Sequence, residues 1–187
     1  MKPTRYITGS LTLLALPVFA HTGHGLAIDG AFWQGVLHPV TGLDHLAILL
    51  GIGFLAAQFK NKNSQLNLMA FALVSLVSGL AVGSIAGVFV GMETVILASI
   101  FVAAFALWQQ KHGGTRVLAI LSATMLVAHG WAHGVEAPVG ELSAFCSGML
   151  LGATGLMHIG MYLGARIPSN WLSPVLGTGA ILLTLAG

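Results

Sequence analysis

His38-Pro39-Val40-Thr41-Gly42-Leu43-Asp44-His45 runs straight into Leu46-Ala47-Ile48-Leu49-Leu50-Gly51-Ile52-Gly53-Phe54-Leu55. Two imidazoles and a carboxylate stand at the mouth of an uncharged apolar run. Polar and ionisable groups are expensive in a hydrocarbon layer and concentrate where they act, so this stretch speaks to fold and function together. His38 and His45 are seven residues apart, which on a continuous helix is one face, two turns apart. Pro39 and Gly42 are expected to break or tighten the first turns and to turn carbonyls and side chains inward. The donor set suits a borderline divalent cation such as nickel, cobalt or zinc. The plainer reading is a hydrogen-bonded cap at the membrane interface.

The rest of the chain is built to match that apolar run. Of 187 residues, 56% are hydrophobic and 6% charged, with 7 Lys+Arg and 5 Asp+Glu. Soluble domains carry about 25% charged residues, so the composition argues for a polytopic membrane protein. So few basic residues exclude a nucleic-acid groove and a polybasic lipid patch. The single Cys146 excludes an intrachain disulfide and a CxxC metal site.

A span needs roughly 20 apolar residues. The expected fold is an all-α membrane bundle of six transmembrane helices, at about Phe32–Phe59, Leu66–Val88, Met92–Gln110, Arg116–His133, Leu142–Ala165 and Trp171–Ala186. Upstream, Lys2 and Arg5, the apolar Ile7–Pro17 and the Val18-Phe19-Ala20 triplet form the pattern of a secretory signal. The expectation is a signal over 1–20, a periplasmic tail over 21–31 and a transport domain over 32–187; a retained first helix is the alternative. With the mature N-terminus outside, Lys60, Lys62, Lys111, Arg116 and Arg166 fall on the cytoplasmic side. Asp29, Asp44, Glu93, Glu136 and Glu141 fall on the outer side, and the C-terminus is expected outside too. Trp33, Trp108, Trp131 and Trp171 sit near span ends, as interface anchors do. Ser75, Gly79, Gly83 and Gly87, and again Gly148, Gly152, Gly160 and Gly164, make four-residue stripes of small residues that favour close helix packing.

Further polar residues gather at the same expected depth. His129, His133 and Glu136 are spaced four and three apart on one helix face, a common metal-ligand spacing. Interface histidines beside a solvated glutamate are the bland alternative. Glu93 opens the third expected span, as a ligand or as a carboxylate answering the helix N-terminus. His158, flanked by Met157 and Met161, lies deeper, either as a later station on a cation path or as a histidine bonded to backbone. Cleavage after Ala20 would expose an α-amine with His21 and His24, a loose metal-collecting tail or merely a polar one. Met125, Met149 and Cys146 read as packing residues, and His112 as a solvated loop residue.

The chain resembles the HupE/UreJ family of bacterial nickel and cobalt permeases. The family's first motif matches His38, Pro39, Gly42, Asp44 and His45, and His129-Gly130-x-x-His133-Gly134-x-Glu136 resembles its second. Glu93 falls where such proteins are expected to carry an acid. The resemblance implies uptake of Ni2+, or Co2+, for hydrogenase or urease maturation, by a secondary permease of the cytoplasmic membrane without an ATPase subunit and without a prosthetic group. A homo-oligomer is compatible with it. Three rivals are left by the residues themselves: a membrane zinc hydrolase using His45, His129, His133 and Asp44, a haem holder, and an accessory protein that binds metal without carrying it.

Overall fold

The computed structural model of the chain describes residues 30–111, 114–137 and 140–186. The expected signal, His21, His24, Asp29 and His112 lie outside them. Among the described residues, seven α-helices follow in order: α1 (Ala31–Thr41), α2 (Leu43–Ala57), α3 (Lys62–Ala86), α4 (Met92–Trp108), α5 (Thr115–Glu136), α6 (Leu142–Gly164) and α7 (Ser169–Ala186), with a short 3-10 turn at Gln109–Lys111.

The all-α expectation agrees with this architecture, but the count of six spanning helices is corrected. Among the described residues, three helices are long and apolar enough to cross a membrane: α3, α5 and α6. A fourth is reached if α1 and α2, bent by 78° at their junction, count as one span. The physical reasons are local. The run expected as one helix from Phe32 to Phe59 is interrupted at Gly42, whose extended backbone (φ −85°, ψ 114°) closes α1 and opens α2. Pro39, inside α1, has no N–H to give the ladder, which weakens the helix just before the break. α4 is apolar but only 17 residues long. α7 opens on Ser169-Asn170-Trp171-Leu172-Ser173-Pro174, which dilutes its apolar content.

In lipid, burying a leucine gains little over leaving it among acyl chains, so cohesion comes from close approach and satisfied polar groups. The glycines supply the approach. A Cβ at Gly79 would lie 2.0 Å from the Val127 carbonyl oxygen, and one at Gly83 2.1 Å from that of Trp131. In return, a Cβ at Gly130 would lie 1.9 Å from the Leu76 oxygen and one at Gly134 2.2 Å from that of Leu80. α3 and α5 therefore meet backbone to backbone. α6 does the same for the broken pair: Gly148 and Gly152 face Phe32 and Val36 of α1, and Gly160 faces Leu50 and Gly164 faces Phe54 of α2. The small-residue stripes thus serve packing, except at Gly87, which caps α3 with a positive φ of 72° and where a Cβ would meet nothing within 4 Å. Hydroxyls of Ser78, Ser122, Thr124, Ser147 and Thr184 donate to the carbonyl one turn back, which satisfies them without a partner helix.

The bundle has two chemically distinct ends. Gln58, Gln110 and Ser169 form a hydrogen-bonded chain that ties the end of α2, the 3-10 turn after α4 and the start of α7. The Arg116 guanidinium lies 5.7 Å from the Phe59 ring centre, and Gln58 donates to the Gly164 oxygen at 3.5 Å. Lys60, Lys62, Arg116 and Arg166 therefore share one end. Asp44, Glu93, Glu136 and Glu141 lie toward the other. Trp33, Trp108 and Trp171 are exposed, whereas Trp131 is half-buried and donates from Nε1 to the Gly87 oxygen at 2.6 Å.

Candidate metal centre

The break at Gly42 creates the centre. On a straight helix His38 and His45 would be separated by about 10 Å of rise. The 78° bend brings their ring centres to 5.7 Å instead. His45 and Asp44 sit in the first turn of α2, where the helix N-terminus favours a carboxylate. Nδ1–H of His45 donates to Asp44 Oδ1 at 2.8 Å, leaving Nε2 as its free lone pair. That Nε2 is buried and without a hydrogen-bond partner. A carboxylate behind a histidine is a recurrent way to fix tautomer and orientation at a metal site. Gly42 makes room for it, since a Cβ there would lie 2.7 Å from His45 Nδ1 and 3.1 Å from Asp44 Oδ1.

α5 brings the other half. His129 is wholly buried and His133 is 2% exposed, against 13% for the His45 side chain and 27% for Asp44. The neighbouring Gly130 and Gly134 press α5 onto α3, which leaves the two histidines to face away from α3 toward the break. The His133 ring centre lies 4.3 Å from that of His38 and 4.4 Å from that of His45; His129 is 5.0 Å from His45. Phe145 of α6 closes one side, 5.7 Å from His38.

Ser99 of α4 completes the arrangement. Its hydroxyl donates to the Ile96 oxygen at 2.6 Å, so Oγ accepts from His129 Nε2–H at 2.9 Å. Nδ1 of His129 then carries the lone pair, and that atom is buried and unpartnered. Both ring nitrogens of His133 are also buried and unpartnered. Buried imidazole nitrogens left unsatisfied are costly in a packed bundle. Their convergence at one place is what a cation would relieve.

Donor atoms within 4.8 Å of one another form two groups, His38/His45/His133 and Asp44/His45/His129. Five residues singled out by sequence spacing therefore meet in space. Glu93 is exposed in the first turn of α4, Glu136 is exposed as the last residue of α5, and neither enters these groups. His158 is exposed on α6 and its Nδ1 is bonded to the Thr154 oxygen at 2.8 Å. Ser99 was not legible as a site residue, and Gly130 and Gly134 were read only as members of the second motif, without their packing role. A lone serine in an apolar helix ordinarily bonds its own backbone, and only the helix pairing shows that Ser99 faces a histidine. The glycines abut His129 and His133 in sequence, which was the available signal.

The HupE / UreJ protein family matches the chain over residues 10–187. A curated relative, Protein HupE of Rhizobium leguminosarum bv. viciae, is 32% identical over 155 residues, covering 82% of this chain and 79% of the relative. No solved structure matches significantly.

Proposed function

The chain belongs to the HupE/UreJ family, a group linked to nickel and cobalt transport or to accessory metal-binding proteins rather than to enzymes, and from that premise we propose that it is a secondary permease importing nickel, with cobalt as a second cargo, across the bacterial cytoplasmic membrane. The observation that carries the reading is the convergence of unpartnered, buried imidazole nitrogens from α2 and α5 on a helix break. Discontinuous helices whose ends face a buried polar site are a recurrent way of holding an ion within a membrane. Nitrogen-rich donors favour late first-row transition metals over magnesium or calcium.

In this reading the end bearing Lys60, Lys62, Arg116 and Arg166 faces the cytoplasm, following the positive-inside bias. The opposite end, with both termini, faces the periplasm. Residues 1–20 are removed as a signal, and His21 and His24 then collect metal for the domain over 32–187. The cation sheds water on meeting His45 and is held by groups drawn from His38, Asp44, His129 and His133, with Glu93 and Glu136 lowering the cost of approach. Each charge moved inward gains about 2.3 kcal/mol per 100 mV, roughly doubled for a divalent ion, so uptake needs no further coupling. The imported metal serves maturation of a nickel enzyme such as a hydrogenase or urease.

The test is nickel uptake into sealed proteoliposomes holding the purified protein under an inside-negative potential. Saturable uptake that is competed by cobalt but not magnesium, and lost in His45→Ala, is expected. A folded preparation that binds nickel without taking it up would instead indicate an accessory metal-binding protein.

A further inference from the structure

The five converging side chains do not offer one mutually close set of donor atoms. Their donor atoms fall into two triads, His38/His45/His133 and Asp44/His45/His129, each mutually within 4.8 Å, and His45 alone belongs to both. We infer that the centre is a pair of alternative stations for a single ion, sharing His45, and that the cargo advances by exchanging His38 and His133 for Asp44 and His129 while His45 keeps hold of it. The inference rests on the permease reading above.

Three observations carry it. First, the α5 members of the two stations differ in depth. His129 precedes His133 by four residues on α5, about 6 Å of rise, and lies nearer the end that carries Arg116. Second, they differ in chemistry. The first offers three imidazoles and no charge, which discriminates by donor type; the second adds a carboxylate, which offsets the ion's charge. An ion held by all five groups would be bound too firmly to leave, whereas conduction requires several sites each weak enough to release it. Third, the hydrogen bonds suit a change of role for Asp44. Its bond to His45 Nδ1 at 2.8 Å leaves His45 Nε2 free for the first station, with Asp44 as orienting partner rather than ligand. Ser99 holds His129 with Nδ1 free for the second.

The experiment compares the full-length protein with His38→Ala and His129→Ala, reading nickel stoichiometry and the nickel ligand set by X-ray absorption alongside liposome uptake. Both variants are expected to bind one nickel and to lose uptake. The ligand sets should differ, with a carboxylate oxygen in His38→Ala and imidazole alone in His129→Ala. Abolished binding in either variant, or one residual ligand set common to both, would overturn the two stations in favour of a single composite site. Retained uptake in His129→Ala would overturn the hand-over while leaving a permease. Two distinct ligand sets without uptake by the wild-type protein would overturn the permease reading and leave the two triads standing. Metal-free thermal unfolding controls for packing damage. If either alanine variant melts early, His38→Gln and His129→Gln, which keep volume and a hydrogen-bonding group, replace them in the same comparison.

Discussion

Ser99 and His129, thirty residues apart on α4 and α5, are both fully buried and joined at 2.9 Å from Oγ to Nε2. Because the serine proton goes to the Ile96 oxygen, the histidine is the donor and its Nδ1 is left to bind. Ser99→Ala is therefore expected to weaken nickel binding by roughly 10–100-fold, the usual range for removing a partner behind a ligand. The nickel ligand set should stay the same, since no ligand has been removed. Calorimetric titration together with X-ray absorption checks both halves, and an unchanged affinity would remove Ser99 from the site.

Gly42 gives a second prediction. Any side chain there meets the His45 ring and the Asp44 carboxylate. Gly42→Ala should break the pair that orients His45 while sparing the core of α2, where Ile48, Ile52 and Leu55 are fully buried. The expected result is a protein that keeps its helical content by circular dichroism and loses nickel affinity by about tenfold or more. Wild-type affinity in this variant would show that the orientation of His45 is unimportant.

Two glycine substitutions should behave in opposite ways. Gly79→Leu drives a side chain into the α5 backbone, where nothing flexible can yield, and should destabilise the bundle by about 3 kcal/mol or more. A Cβ at Gly155 on α6 would meet nothing within 4 Å, so Gly155→Ala should be neutral or stabilise by about 0.5–1 kcal/mol through helix propensity. Unfolding in detergent compares them directly.

His158 provides a control. It is exposed and bonded to its own helix rather than to the centre. His158→Ala should change nickel affinity by less than about 0.5 kcal/mol, as substitutions away from buried networks do. A loss of binding comparable to that of His45→Ala would place His158 among the ligands.

The helices were largely legible because each apolar run between Gly, Pro, Asn and Lys punctuation did fold as helix. What hydropathy could not show was continuity and length. The stretch from Phe32 to Phe59 has the length of one span, and although Pro39 and Gly42 hinted at a break, nothing in it measures the 78° by which the backbone turns at Gly42. The same turn brings His38 and His45 closer than their seven-residue spacing on a straight helix would allow. Spacing singled out His129 and His133 because both sit on one face of α5. It could not separate them from Glu136, which shares their register but lies exposed at the helix end. Ser99 stayed hidden because its partner is brought near only by the pairing of α4 with α5.

The contact between α6 and the broken pair has a mechanical consequence. Gly148, Gly152, Gly160 and Gly164 let α6 lie backbone to backbone against both sides of the bend, and Met149 and Met157 of the same helix are fully buried. A change in the angle between α1 and α2 would have to break this seam, so α6 acts as a splint that keeps the imidazoles at the apex in register.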